Sequence, residues 1–329
     1  VRYSPGVLKS SLKFSLVGKS ISGTNAVSPS EAVMAHSRIS RRTALGGTAA
    51  LLGTLAAGSL SAAEGGPRIL VVVGPSSHPP GTHEVAAGGR LLKHCLEAAG
   101  AKADVITDWP ADAKSLADVA SVVFIGDLFP PEVMKDRDRI MADLTAMMNR
   151  GCGLVCLHYA TGLEAKFVKD DGDHPLLHWM GGYFATRCNH HKSVAKVFKE
   201  ATIEPAGDHP VLRGWKAFEL HDEPYINNYF GKGGPAKNVT ALATAMLPPD
   251  APKKETVAWA TERADGGRGV GIVMPHFYKN WNIDALRTLV LNAIVWTAKR
   301  DVPTDGVQTN LPVLETFKPA AVEVPVKKK

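Results

Sequence analysis

The sequence predicts an α/β fold, a doubly wound, mostly parallel sheet with helices on both faces. Three observations carry this. Unbroken apolar, β-branched runs end in glycine or a polar residue, the pattern of strands buried on both faces. Segments with helical spacing separate them at intervals that fit βαβ units. The chain of 329 residues, 45% hydrophobic and 21% charged, supplies enough apolar surface for a core without disulfide or metal staples.

The elements follow in order. Residues 68–73 (Arg-Ile-Leu-Val-Val-Val) read as the first strand, stopped by Gly74. A polar, Pro-rich and flexible loop is expected over 75–82. Residues 83–100 read as a helix, with Val85, Leu91, Leu92, Cys95, Leu96 and Ala99 on one face and Gly100 as the stop. Residues 103–106 and 121–126 form a second and third strand. One helix is expected over 131–150, with proline near its start and Gly151 past its end. Residues 152–157 form a fourth buried strand. The second half is less regular, with strands expected at 193–198, 216–220, 239–245 and 256–260, partly antiparallel. The run 269–274 is the last strong strand, preceded by a glycine-rich hairpin turn, and 283–300 the closing helix. From Asp301 a loosely held Pro- and Lys-rich tail is expected.

Charge divides the chain. Residues 1–63 carry seven of the 38 lysines and arginines and one of the 32 acids, so the remainder is charge-neutral. A body without basic excess has no electrostatic footprint for nucleic acid. In the leader, Arg41-Arg42 precede a weakly apolar run ending at Ser61-Ala62-Ala63. This pattern predicts export by the twin-arginine route to the periplasm or beyond, without stable membrane insertion. Met34 is a natural start for such a signal. The four cysteines, Cys95, Cys152, Cys156 and Cys188, contain no CxxC and make no disulfide framework.

In doubly wound sheets ligands bind beyond the carboxyl ends of the strands. The first strand is followed by His78 and His83, the fourth by His158, and the last strong strand by His276. Imidazole serves as metal ligand or as general acid/base. His83, His158 and His276 are therefore the candidate ligands of a divalent metal, zinc suiting nitrogen-rich ligation. Each has a plainer reading as a hydrogen-bonded core or loop residue, and His78 sits in the Pro-rich loop. After Phe218-Glu219-Leu220 come His221, Asp222 and Glu223; alternation puts His221 and Glu223 on one side and Asp222 on the other. Glu223 and Asp222 are candidate catalytic carboxylates with His158, Glu223 as ligand or general base. At most one of His190 and His191 is expected to face the site, and His209 in a turn reads as structural. Tyr159, Tyr183, Tyr225 and Phe277 are candidate sugar-stacking aromatics. GxGxxG, GxSxG and HExxH are absent, which leaves nucleotide binding, serine hydrolase and zincin chemistry without support.

The ordered set Leu157-His158-Tyr159-Ala160-Thr161, Gly181-Gly182-Tyr183-Phe184, His209-Pro210, Asp222-Glu223-Pro224-Tyr225 and Gly269 to His276, with Trp296 in the final helix, resembles the ThuA-like (trehalose utilisation) family over residues 67–300. The resemblance implies a flavodoxin-like fold related to class I glutamine amidotransferases. It implies action on disaccharides or their 3-keto derivatives, by metal-assisted hydrolysis or elimination. In amidotransferases a cysteine nucleophile occupies the turn after the strand that matches 152–157. Here His158 stands at that turn and Cys156 lies within the strand, so glutaminase chemistry is expected to be lost. A non-catalytic carbohydrate-binding protein on the same fold and a residual cysteine amidohydrolase are the alternatives. A small-molecule carbohydrate is the expected partner, and a homo-oligomer stays open.

Overall fold

The computed structural model describes residues 67–318, so the leader and its twin-arginine pair lie outside the described residues. The β-branched run after Pro67 is strand β1 (Arg68–Val73), buried from Ile69 onward. It is followed by helix α1 (Val85–Ala98), β2 (Lys102–Ile106), β3 (Val119–Ile125), α2 (Pro130–Val133), α3 (Arg137–Asn149) and β4 (Gly153–Leu157). Two short strands, β5 (Gly162–Glu164) and β6 (Phe184–Thr186), flank α4 (Pro175–Met180). Then come β7 (Phe198–Pro205), β8 (Phe218–Asp222), β9 (Val239–Leu247), β10 (Lys253–Glu262), β11 (Arg268–Ile272) and α5 (Asp284–Thr297).

The main sheet has the order β2-β1-β3-β4-β11-β10-β9-β7-β8. From β2 to β11 every pairing is parallel, and beyond β11 every pairing is antiparallel. The β10–β11 hairpin turns at the glycine-rich segment, as the sequence predicts. Register places the helices on both faces. Gly269 pairs with Leu154, so Gly153 and Gly269 look to opposite sides. A side chain at Gly153 would strike Thr297 of α5, and one at Gly269 would strike Trp179 and Met180 of α4. This is the flavodoxin-like arrangement, with an antiparallel extension. No described helix is long and apolar enough to cross a membrane.

Four expectations need correction. The single helix over 131–150 is two, because Asp136 adopts φ 62°, which a helix cannot continue through. Residues 193–197 form only a bridge between Val194 and Ile226, and strand β7 starts at Phe198. The 75–82 loop is pinned: Gly74 N–H bonds Ile125 O, and Asp127 N–H bonds Pro75 O, both at 2.8 Å. The tail is held as far as Lys318. Val302, Val307, Leu314 and Phe317 are buried, Asn292 Oδ1 accepts from Val307 N–H, and Tyr278 Oη donates to Leu314 O. A few anchors spaced along a polar, Pro-rich segment suffice to fix it.

Candidate metal centre

The parallel strands β1, β3, β4 and β11 are neighbours and end at one edge, so the residues after them meet there. β4 ends at Leu157, and the chain turns at once through His158 at φ 47°. That left-handed conformation is costly for a non-glycine residue and is tolerated where the surroundings enforce it. The turn puts the His158 ring inside, 5% exposed. Its Nδ1 lies 3.1 Å from the carbonyl oxygen of Val273. A carbonyl only accepts, so Nδ1 carries the proton and Nε2 presents a lone pair.

His83 is fixed the same way by a carboxylate. Its Nδ1 lies 2.6 Å from Asp127 Oδ1. Burial alone would raise the Asp127 carboxyl, but hydrogen bonds from His83, Ser77 and His78 overturn this and hold it well below its usual range. Asp127 is ionised and accepts, leaving His83 Nε2 bare. Between these two acceptor nitrogens, of which that of His158 also faces the Tyr225 hydroxyl, lies His276 Nδ1, 2.9 Å from His83 Nε2 and 3.1 Å from His158 Nε2. One proton there serves one neighbour at a time. The three ligand nitrogens all lie within 4.8 Å of one another. Tyr225 Oη sits 3.1 Å from His158 Nε2, and Glu223 Oε2 is 3.4 Å from His276 Nδ1 and 3.9 Å from His158 Nε2.

The electrostatics favour neutral rings. Burial, reinforced by the neighbouring histidines, lowers His83, takes His158 well below the usual range and brings His276 to about 4. A neutral imidazole is the form that binds metal. Burial and the Asp222 charge raise Glu223. Two lone pairs, a third ring nitrogen and a carboxylate converge, and a carboxylate and a carbonyl fix two of the rings from behind. This donor set fits a divalent cation, and its nitrogen content suits zinc.

The β7–β8 hairpin brings the acids in. β7 meets β9 only at Glu204 and Pro205, so the hairpin is free to lean toward the loop after β11. Asp222 is fully buried and acts on that loop. Its Oδ1 accepts from the backbone N–H of Glu223 and His276, both at 2.7 Å, and of Phe277 at 3.3 Å; Oδ2 accepts from Asn280 Nδ2 at 2.9 Å. With both oxygens occupied, Asp222 is a positioning residue for Glu223 and His276 and not the catalytic carboxylate expected from sequence.

The aromatics divide. Half-buried Tyr159 stands edge-on to His78 and His83, with centroids 5.9 and 6.0 Å away, and half-buried Phe277 is 4.7 Å from His276. Tyr225 stacks on His158 at 4.5 Å and walls the centre. Tyr183, expected to bind substrate, is fully buried; its hydroxyl is taken by Gly172 O and His190 Nε2, because residues 181–184 pair with the segment around Tyr229 and not with the cluster. His191 donates to Asn227 O, and His209 accepts from Val211 N–H in a turn. Sequence reasoning missed Asp127, two residues past β3, although it follows a strand as the histidines do. Cys156 is fully buried and burial pushes its thiol well above the usual range, so it offers no thiolate nucleophile.

A family model described as ThuA, trehalose utilisation, matches residues 68–297. The chain belongs to this family, whose description is carbohydrate-related. A search of curated proteins gives no match. Among solved structures, a ThuA-like protein from Bacteroides uniformis aligns with TM-score 0.53 at 16% identity, over 73% of this chain and 94% of that one, a likeness of fold. Agd3, described as a novel carbohydrate deacetylase, aligns with TM-score 0.42 at 12% identity over 70% of this chain and 32% of its own. PurLQS from Thermotoga maritima gives 0.39 at 12% identity over 71% and 98%. The last two similarities are too low to carry an argument.

Proposed function

We propose that this protein is an exported, metal-dependent enzyme acting on disaccharides or their 3-keto derivatives by hydrolysis or elimination. The convergence of His83 Nε2, His158 Nε2 and His276 Nδ1 beside Glu223 carries the reading. Family membership supports the carbohydrate class. The twin-arginine pair and the small residues at 61–63 support export.

His83, His158 and His276 would hold the cation as neutral imidazoles, kept in register by Asp127 and the Val273 carbonyl. When bound, the metal supplies a Lewis acid for a sugar carbonyl or the oxygen beside it. Glu223 stands next to that position. Its raised pKa makes it a stronger proton acceptor than an exposed carboxylate, fitting it to take up a proton at the reacting carbon or from water. Asp222 keeps Glu223 and His276 facing each other. Half-buried Tyr159 and Phe277 stand beside His83 and His276, placed to stack on a sugar face.

The test is metal analysis of the purified full-length protein with the His158→Ala/His276→Ala double variant beside it. About one ion per chain is expected in the wild type and none in the variant. Full retention in the variant would remove these two residues as ligands. A panel of oxidised and unoxidised disaccharides then separates an enzyme from a binding protein.

A further inference from the structure

We propose that His78 is a further substrate-binding residue of this site, accepting at Nε2 a hydrogen bond from a hydroxyl on the carbon next to the one whose oxygen meets the three histidines. The ligand class is then an α-hydroxy ketone or a vicinal diol. The inference rests on the functional reading above, since it takes the cluster as the place of the first oxygen.

Asp127 holds two imidazoles with one carboxylate. Oδ1 takes His83 Nδ1 at 2.6 Å and Oδ2 takes His78 Nδ1 at 2.8 Å. Both rings donate to it, so His78, like His83, carries a proton on Nδ1, and in the neutral imidazole Nε2 presents a lone pair. The His83 lone pair is directed into the cluster. Among the described residues, Nε2 of His78 has no hydrogen-bond partner, and the side chain is 30% exposed. A fixed acceptor with no protein donor, on a part-exposed ring stacked against His83, is available to a ligand.

His78 is placed and not merely nearby. Ser77 N–H donates to Asp127 Oδ2 at 2.8 Å, the backbone ties between Gly74 and Ile125 and between Pro75 and Asp127 hold the loop before His78, and Tyr278 N–H donates to Gly81 O at 3.0 Å after it. The ring stacks on His83 with centroids 3.6 Å apart and an interplanar angle of 24°. Both rings stand edge-on to the same two partners, His276 and Tyr159. His78 is thus one ring thickness from His83, a step that two oxygens on adjacent carbons can span. Anchoring His83 alone would need only one Asp127 oxygen. The second oxygen is used to orient a further imidazole, stacked on His83, whose Nε2 makes no hydrogen bond to the three nitrogens.

The experiment is calorimetric titration of full-length protein, as purified and after zinc loading, with methyl 3-keto-glucoside and its 2,4-dideoxy counterpart. One neutral hydrogen bond of about 1.4 kcal/mol corresponds to about a tenfold preference for the hydroxylated probe in the wild type. His78→Ala is expected to bring the two probes within about twofold of each other at unchanged metal content, and His78→Gln, which keeps an acceptor, to retain part of the preference. Equal binding of the probes by the wild type, binding of neither, or an undiminished preference in His78→Ala would overturn the proposal. A wild type that shows the preference but holds no metal would leave His78 standing and overturn the metal reading instead.

Discussion

Buried Glu132 and His174, capped by the exposed Arg137, form one histidine–carboxylate cluster, and His83, His158 and His276 with Asp127 form another. In the first, every group is answered. His174 Nδ1 accepts from Leu176 N–H at 3.0 Å, so Nε2 carries the proton and donates to Glu132 Oε1 at 2.9 Å. Arg137 donates to both oxygens of the same carboxylate. In the second, Asp127 and the Val273 carbonyl take the outward protons of two rings, and the inward nitrogens face one another. Both places pair a buried imidazole with a carboxylate. What differs is the remainder after pairing: none beside α2, and converging lone pairs at the ends of β4 and β11. A structural cluster closes on itself, whereas a binding cluster leaves donors for a guest.

The largest expected effect tests the closed cluster. Glu132→Ala leaves the buried His174 N–H without its acceptor and empties a fully buried side-chain site, while the exposed Arg137 turns to water; the lost hydrogen bond and the cavity together should cost about 3–5 kcal/mol in urea unfolding. His276→Ala in metal-free protein removes a nitrogen that satisfies only one neighbour at a time, and should cost about 1–2 kcal/mol. Equal losses would erase the distinction. Next, zinc at a hundred times its Kd should stabilise the wild type by about 2.7 kcal/mol in scanning calorimetry. Glu132→Ala should gain as much and His276→Ala nothing. An equal gain in all three would place the bound zinc elsewhere.

Asp222→Asn sharpens the comparison within the site. With the amide oxygen kept on the three backbone N–H groups, the new amide nitrogen faces the Asn280 amide donor, which should cost about 1–3 kcal/mol. Because Asp222 holds Glu223 and His276, zinc affinity should fall about 10–100-fold by competition with a chelating dye. Loss of stability with unchanged affinity would reduce Asp222 to a purely structural brace. The smallest effect is in acid. Burial alone would raise the Glu132 carboxyl, but the bonds from His174 and Arg137 hold it below its usual range. A lowered folded value means the contribution is complete above the unfolded value of about 4.3 and is lost as pH falls through the folded one. The stability gap between wild type and Glu132→Gln should therefore close below about pH 4. A gap that persists or widens in acid would contradict the assignment.

Much of this was legible in the residues. His83, His158 and His276 are conspicuous because each follows a strand, and strand ends are where such a sheet collects its ligands. Asp127 obeys the same rule but sits in Gly126-Asp127-Leu128, where an aspartate reads as turn chemistry. Alternation separated Asp222 from Glu223, yet gave no sign that the β7–β8 hairpin leans onto the 275–277 loop, so the inward acid looked catalytic when it is a brace. Tyr183 shares its local signature with a site aromatic; only the bridge to Tyr229 reveals that its hydroxyl is already taken. The tail hid its anchors because Val302, Val307, Leu314 and Phe317 follow no period.

X-ray absorption at the zinc edge of the metal-loaded full-length protein tests the central claim most directly. A first shell containing three imidazole nitrogens at about 2.0–2.1 Å is the expected result. A shell of sulfur, or of oxygen alone, would contradict it.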